Sequence, residues 1–162
     1  MKIVRRSNQE DLLELFRREI EAINQKKPEK LIHIALAGGR SMGVVVRAIL
    51  AQDPATQDRM RFYLVDERLE GEKNKDTLLL EGLARPIAIP ELGKPLSKEP
   101  FDLVFLGIGE DGHFASLFPG TYTENGKEEQ VLLVEDSPKP PARRTTLSYR
   151  GFRTLATSKV FL

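Results

Sequence analysis

The chain contains no cysteine, and it has only two histidines among its 162 residues. The first absence excludes disulfide bridges and thiolate chemistry, and the two together leave too few ligands for a dedicated zinc site. No apolar run is long enough to cross a bilayer. The N-terminus, Met1-Lys-Ile-Val-Arg-Arg-Ser7, is not followed by the uninterrupted apolar stretch of a secretory leader. The expected compartment is therefore the cytoplasm, with no membrane partner. Net charge is also scarce, since 25 Lys and Arg against 24 Asp and Glu leave +1. With no basic block and no aromatic residues interleaved with basic ones, nucleic acid is not an expected partner. No internal repeat or low-complexity tract is present.

What remains is 40% apolar and 30% charged residues, the balance of a soluble globular protein, at a length that suits a single domain spanning residues 1–162. Ser7-Asn-Gln-Glu10 reads as a capping box, and Leu12, Leu13, Phe16, Ile20 and Ile23 follow at helical spacing. Leu31 to Ala37 reads as a strand. His33 lies inside it without clustered partners in sequence, which marks a structural histidine. The strand ends in Gly38-Gly39-Arg40-Ser41-Met42, and Gly43 to Ala51 continues as an apolar helix. Strand, glycine turn and helix start together aim backbone N–H groups and the positive end of a helix dipole at an anion.

Met60 to Val65 reads as the next strand, with Asp66-Glu67-Arg68 at its carboxyl end. Leu78 to Leu83 makes a short helix at most. Arg85 to Pro90 is a brief strand that Pro86 and Pro90 confine to an edge. The apolar run Leu103 to Leu106 has the pattern of a strand buried on both faces, and it breaks into Gly107, Gly109 and Gly112. That loop carries Asp111 and His113, and loops at the carboxyl ends of strands are where open α/β folds bind ligands. An imidazole placed there can act as a base, although the same glycines also suit an ordinary turn that Asp111 caps. Thr121 to Gln130 is polar, Val131 to Val134 reads as a strand, and Ser137-Pro-Lys-Pro-Pro141 is a stiff turn before Arg143-Arg144. Gly151 to Ser158 suits a short helix. The chain stops inside an apolar strand that starts at Lys159.

The string Gly107-Ile-Gly-Glu-Asp-Gly-His-Phe-Ala-Ser-Leu-Phe-Pro-Gly120 resembles the signature of the 6-phosphogluconolactonases, which share a superfamily with the glucosamine-6-phosphate deaminases. Three further stretches are similar to the same family. The Gly38-Gly39 turn has Ser41-Met42 where the family usually has Thr-Pro; Phe62 to Arg68 ends in Asp-Glu-Arg, where the deaminases have Asp-Glu-Tyr; and Pro140 to Leu147 puts Arg144 on the family's arginine. The resemblance thins over residues 69–100, where Asp76-Thr77 stands about where a Ser-Asn pair is expected. It implies a domain shortened there and at the C-terminus.

The resemblance implies an α/β fold with a largely parallel, Rossmann-like sheet and helices on both faces. It also implies hydrolysis of a sugar-phosphate lactone by a monomer or weak homo-oligomer. His113 is expected to be the base and Asp66 its catalytic companion. Gly38, Gly39, Arg40, Ser41, Arg68, Gly109, Asp111, Gly112 and Arg144 are expected to bind substrate, with Arg40 and Arg144 on the phosphate. No metal or organic cofactor is implied, because a lactone is already an activated ester. A deaminase or isomerase of the superfamily and a non-catalytic sugar-phosphate sensor stay open as alternatives. Arg68 and Ala115-Ser-Leu-Phe-Pro119 speak against the first, whereas the shortened middle leaves room for the second.

Overall fold

Apolar residues at helical spacing form the first element, α1 (Gln9–Lys26), in a computed structural model that describes residues 8–39, 41–120, 129–157 and 159–161, the last three as backbone. Its N-cap is Asn8, whose side chain accepts from the Asp11 N–H at 2.9 Å, a bond worth about 1 kcal/mol. Ser7, the expected capping residue, lies outside the described residues. The buried stripe of Phe16, Ile20 and Ile23 faces the sheet, and Phe16 meets Phe105 edge-on at 5.0 Å. Each such burial contributes about 1.5–3 kcal/mol.

The chain continues through β1 (Ile32–Leu36), α2 (Met42–Leu50), α3 (Pro54–Asp58), β2 (Met60–Leu64), β3 (Asp66–Arg68), α4 (Asn74–Leu80) and β4 (Ile87–Ala88). Next come β5 (Leu103–Phe105), β6 (Val131–Val134), β7 (Arg144–Leu147), α5 (Tyr149–Leu155) and β8 (Lys159–Phe161). Five strands form a parallel sheet in the order β4-β2-β1-β5-β8, flanked by helices. All five residues of β1 are buried, as the central strand of a covered parallel sheet requires. Residues 121–128, most of the polar stretch expected after the glycine loop, lie outside the described residues.

The sequence reading did not separate out a second sheet, which is antiparallel and ordered β3-β7-β6. Asp66-Glu67-Arg68 is not a tail of β2 but a strand of this sheet, with Asp66 opposite Thr146 and Arg68 opposite Arg144. Val65 is the joint between the two sheets. Its N–H donates to the Leu36 carbonyl at 2.9 Å, while its own carbonyl accepts from Leu147 at 2.8 Å. Both sheets are thus held in register at the carboxyl end of β1. α4 begins at Asn74, before the expected Leu78, because Glu67 reaches its first turn. That carboxylate accepts from the N–H groups of Asn74 (2.7 Å) and Lys75 (3.0 Å), and from Arg68 (2.7 Å).

Candidate active site

The loop after β5 closes on itself through two short backbone bonds, Gly109 N–H to the His113 carbonyl and Gly112 N–H to the Gly109 carbonyl, both 2.8 Å. Gly112 has φ +82°, which the turn requires and which only glycine adopts freely. Gly109 is needed for a different reason. A Cβ there would lie 2.1 Å from His113 Cε1 and 2.6 Å from Asp111 Oδ1, so ring and carboxylate rest directly on its backbone. Both glycines spend their N–H groups inside the loop and contribute shape rather than donors.

His113 Nδ1 is 2.5 Å from Asp111 Oδ1. Asp111 accepts, so the proton sits on Nδ1 and the lone pair on Nε2. Lys139 Nζ lies 3.3 Å from the same carboxylate oxygen and 3.3 Å from Nδ1. Hydrogen bonds from His113 and then Lys139 hold the Asp111 carboxyl down at about 2. The imidazole stacks on buried Phe118 with centroids 4.6 Å apart, and the Arg144 guanidinium lies 5.7 Å from the centre of that ring.

Asp66 is buried and takes a 2.7 Å bond from Ser116 Oγ. Burial pushes its carboxyl up from the ordinary value, against that bond and the nearby charge of Arg144. Asp66 is therefore not the carboxylate beside His113; Asp111 has that place. Asp66 instead ties the loop after His113 to the antiparallel sheet. Its backbone carbonyl accepts from Asn74 Nδ2 at 3.1 Å. The Asn74 amide also lies so close to Gly38 that a Cβ there would fall 2.0 Å from its oxygen.

Gly39 has φ +94°, and Met42 N–H donates to its carbonyl at 3.1 Å, which starts α2. Ser41 makes no side-chain capping bond to α2, and its hydroxyl sits 3.5 Å from where a Cβ on Gly107 would be. The anion turn and the histidine loop are therefore neighbours. Arg40 lies outside the described residues. Arg144 is buried, with Nε bonded to the Pro141 carbonyl (3.0 Å) and Nη2 to those of Lys139 (3.0 Å) and Pro140 (3.2 Å). It clamps the turn that presents Lys139. Arg68 donates from Nη1 to the Glu72 carbonyl at 3.1 Å, and its charge acts on Asp66 and Arg144.

Four contributors escaped the sequence reading: Lys139, Ser116, Glu67 and Asn74. Lys139 and Ser116 lie inside strings that were noticed, but only the fold shows what they touch. Asn74 stands two places before the Asp76-Thr77 pair to which the resemblance pointed. Among the described residues, no group of three or more His, Asp or Glu converges as a metal site. No helix there is long and apolar enough to cross a membrane.

A sequence model described as glucosamine-6-phosphate isomerases/6-phosphogluconolactonase matches residues 83–162. A probable 6-phosphogluconolactonase 5 of Arabidopsis thaliana is 39% identical over 92 residues, covering 53% of this chain and 36% of the relative. A putative 6-phosphogluconolactonase of Caenorhabditis elegans is 32% identical over 149 residues, covering 72% of this chain and 55% of the relative. The chain thus spans between a third and just over half of the length of these curated relatives. The crystal structure of 6-phosphogluconolactonase from Thermotoga maritima superposes with a TM-score of 0.71 at 23% identity, covering 93% of this chain and 78% of that one. At that identity the likeness speaks for the fold.

Proposed function

We propose that the chain, whose residues 83–162 match the model described as glucosamine-6-phosphate isomerases/6-phosphogluconolactonase, hydrolyses 6-phospho-D-glucono-1,5-lactone to 6-phosphogluconate, a step of the pentose phosphate pathway. The observation that carries this reading is the 2.5 Å bond from His113 Nδ1 to Asp111. It fixes the tautomer whose Nε2 takes a proton from water as the water attacks the lactone carbonyl. The tetrahedral intermediate collapses with loss of the ring oxygen as leaving group. His113 returns the proton to that oxygen, and the ring opens to the acid. N–H groups of the loop other than those of Gly109 and Gly112 stabilise the oxyanion.

The phosphate is assigned to the Gly38-Gly39-Arg40-Ser41 turn and the start of α2, where the N–H groups of the first turn carry no side-chain cap. Arg144 Nη1, the guanidinium nitrogen with no hydrogen bond among the described residues, extends that site. Asp66 serves as a positioning residue through Ser116. The single domain is read as shortened over residues 69–100, which leaves the substrate wall on that side thin.

The test is to incubate the purified chain with freshly made lactone and, separately, with glucosamine 6-phosphate, following acid release and ammonia. Acid release above the spontaneous rate, with no ammonia, is expected. An unphosphorylated lactone should be a poor substrate. Ammonia without acid release would replace this reading by the deaminase, and binding without either product would replace it by the sensor.

A further inference from the structure

Gly38 and Gly39 open the turn to which the phosphate is assigned, and they are glycines for different reasons. Gly39 has φ +94°, whereas Gly38 is not among the glycines with positive φ. What excludes a side chain at Gly38 is closeness. A Cβ there would lie 2.0 Å from Asn74 Oδ1, 2.1 Å from its Cγ and 2.6 Å from its Nδ2, so the whole amide rests on the Gly38 backbone. Asn74 is 4% exposed and is held on two sides. Its backbone N–H donates to Glu67 Oε1 at 2.7 Å, and its Nδ2 donates to the Asp66 carbonyl at 3.1 Å. A carbonyl only accepts, so the second bond fixes which way the amide faces. The ladder bonds of β3 to β7 fall on Val65 and Leu69, and alternation turns the Asp66 carbonyl away from β7, toward this donor.

We infer that Asn74 is a positioning residue for this turn, an inference that rests on the phosphate being bound there. Its amide is the stop against which Gly38 is set, at a fixed height above the start of β3. Within the turn, Met42 N–H donates to the Gly39 carbonyl at 3.1 Å and Ser41 makes no side-chain capping bond, so support has to come from outside. α4 supplies it. Glu67 also accepts from the Lys75 N–H at 3.0 Å, which locks the first turn of α4 and leaves Asn74 no room to retreat from Gly38. The same helix reaches the far side of the turn, where a Cβ on Gly43 would lie 2.8 Å from Oε2 of Glu81, the α4 C-cap. An apolar side chain at Asn74 could fill the space but would leave the buried Asp66 carbonyl without its donor, and the turn would then rest on a looser support.

The experiment is a nuclear magnetic resonance titration of the isotope-labelled full chain with 6-phosphogluconate and with gluconate, beside lactone kinetics. In the wild type, 6-phosphogluconate should shift the backbone amides of Gly38, Gly39 and Met42 and the side-chain amide of Asn74, and gluconate should leave them in place. Asn74→Leu keeps the side-chain size and removes the donor. It should weaken 6-phosphogluconate by about tenfold and raise KM by a similar factor, with kcat close to wild type, because Ser116 still holds the Asp66 carboxylate and Asp111 still holds His113. If that variant does not fold, Asn74→Ser, too short to reach the Asp66 carbonyl, should give the same split. Wild-type phosphate affinity in a folded variant, a loss confined to kcat, or an Asn74 side-chain signal indifferent to 6-phosphogluconate would each overturn the inference and leave the phosphate assignment standing. A wild-type turn that does not respond to 6-phosphogluconate would overturn that assignment, and the inference with it.

Discussion

A histidine in a polar cluster stands at each end of the parallel sheet, and the two clusters behave differently. At the amino end, His33 Nδ1 meets the Tyr63 hydroxyl at 2.8 Å, and Asp102 takes the His33 N–H at 2.8 Å and both of its contacts from Lys27 Nζ at 2.9 Å. In that cluster the carboxylate is spent on Lys27 and on the His33 backbone N–H, not on the imidazole. At the carboxyl end, His113 is held through Nδ1 alone, over a glycine backbone, in a loop whose neighbours come from three other segments. The residue types are nearly the same. What differs is strand polarity: at the carboxyl ends the chain diverges into loops, and hydrogen-bonding capacity is left for a ligand.

Replacing each histidine in turn should separate the two ends of the sheet most widely. With the lactone as substrate, and after correction for its spontaneous opening, His113→Ala should lower turnover by about 10²–10⁴-fold, whereas His33→Gln should keep wild-type turnover. Equal losses in folded variants would mean that the two ends do not differ as argued. Gly109→Ala should have the next largest effect. The added methyl displaces both His113 and Asp111, and a misplacement of about 1 Å costs on the order of 10²-fold in rate. Circular dichroism should meanwhile show an intact fold.

At the amino end the readout is stability. Asp102→Ala removes the acceptor for Lys27 and for the His33 amide, and urea unfolding should show a loss of about 1.5–3 kcal/mol, with turnover of the folded protein unchanged. The smallest effect is a pH dependence. Burial, the main cause, lowers the His33 pKa below its ordinary value. On acidification the unfolded chain is then protonated first, so stability is full above the ordinary histidine range and falls as pH drops from there through the lowered value. His33→Gln should flatten that part of the stability profile, as read from melting temperatures across pH 5 to 8.

Much of the parallel sheet was legible because its strands are largely apolar and its helices carry a stripe, patterns that local sequence records. The antiparallel sheet was not, since Asp66-Glu67-Arg68 has no apolar alternation and is a strand only because β7 returns to pair with it. The histidine loop could be read from its glycines, but the partners could not. Asp111 and Asp66 look equally suitable in sequence, and only the turn at Gly112 decides which one meets His113. Arg144 was expected at the phosphate, yet three of its bonds run to backbone carbonyls. Likewise, the role of Glu67 as the cap of α4 spans a turn that no local capping pattern describes.

The pairings described for the two sheets also bear on how the chain is made. β1 is bonded on one side to β2 and on the other to β5, Ile34 lying opposite Leu103, and Leu103 opposite Lys159 in β8. Asp66 waits for Thr146. Apart from β6 and β7, no two successive strands among the described residues pair within a sheet through a short turn, so each contact must close a long loop before it returns any free energy. During synthesis, the amino-terminal half therefore emerges with an unpaired edge on its most apolar strand, and that edge stays open until the segment containing β5 has left the ribosome. For that interval the chain is most exposed to association with its own copies, and a nascent chain stalled before Leu103 is the state in which a chaperone has the most to cover.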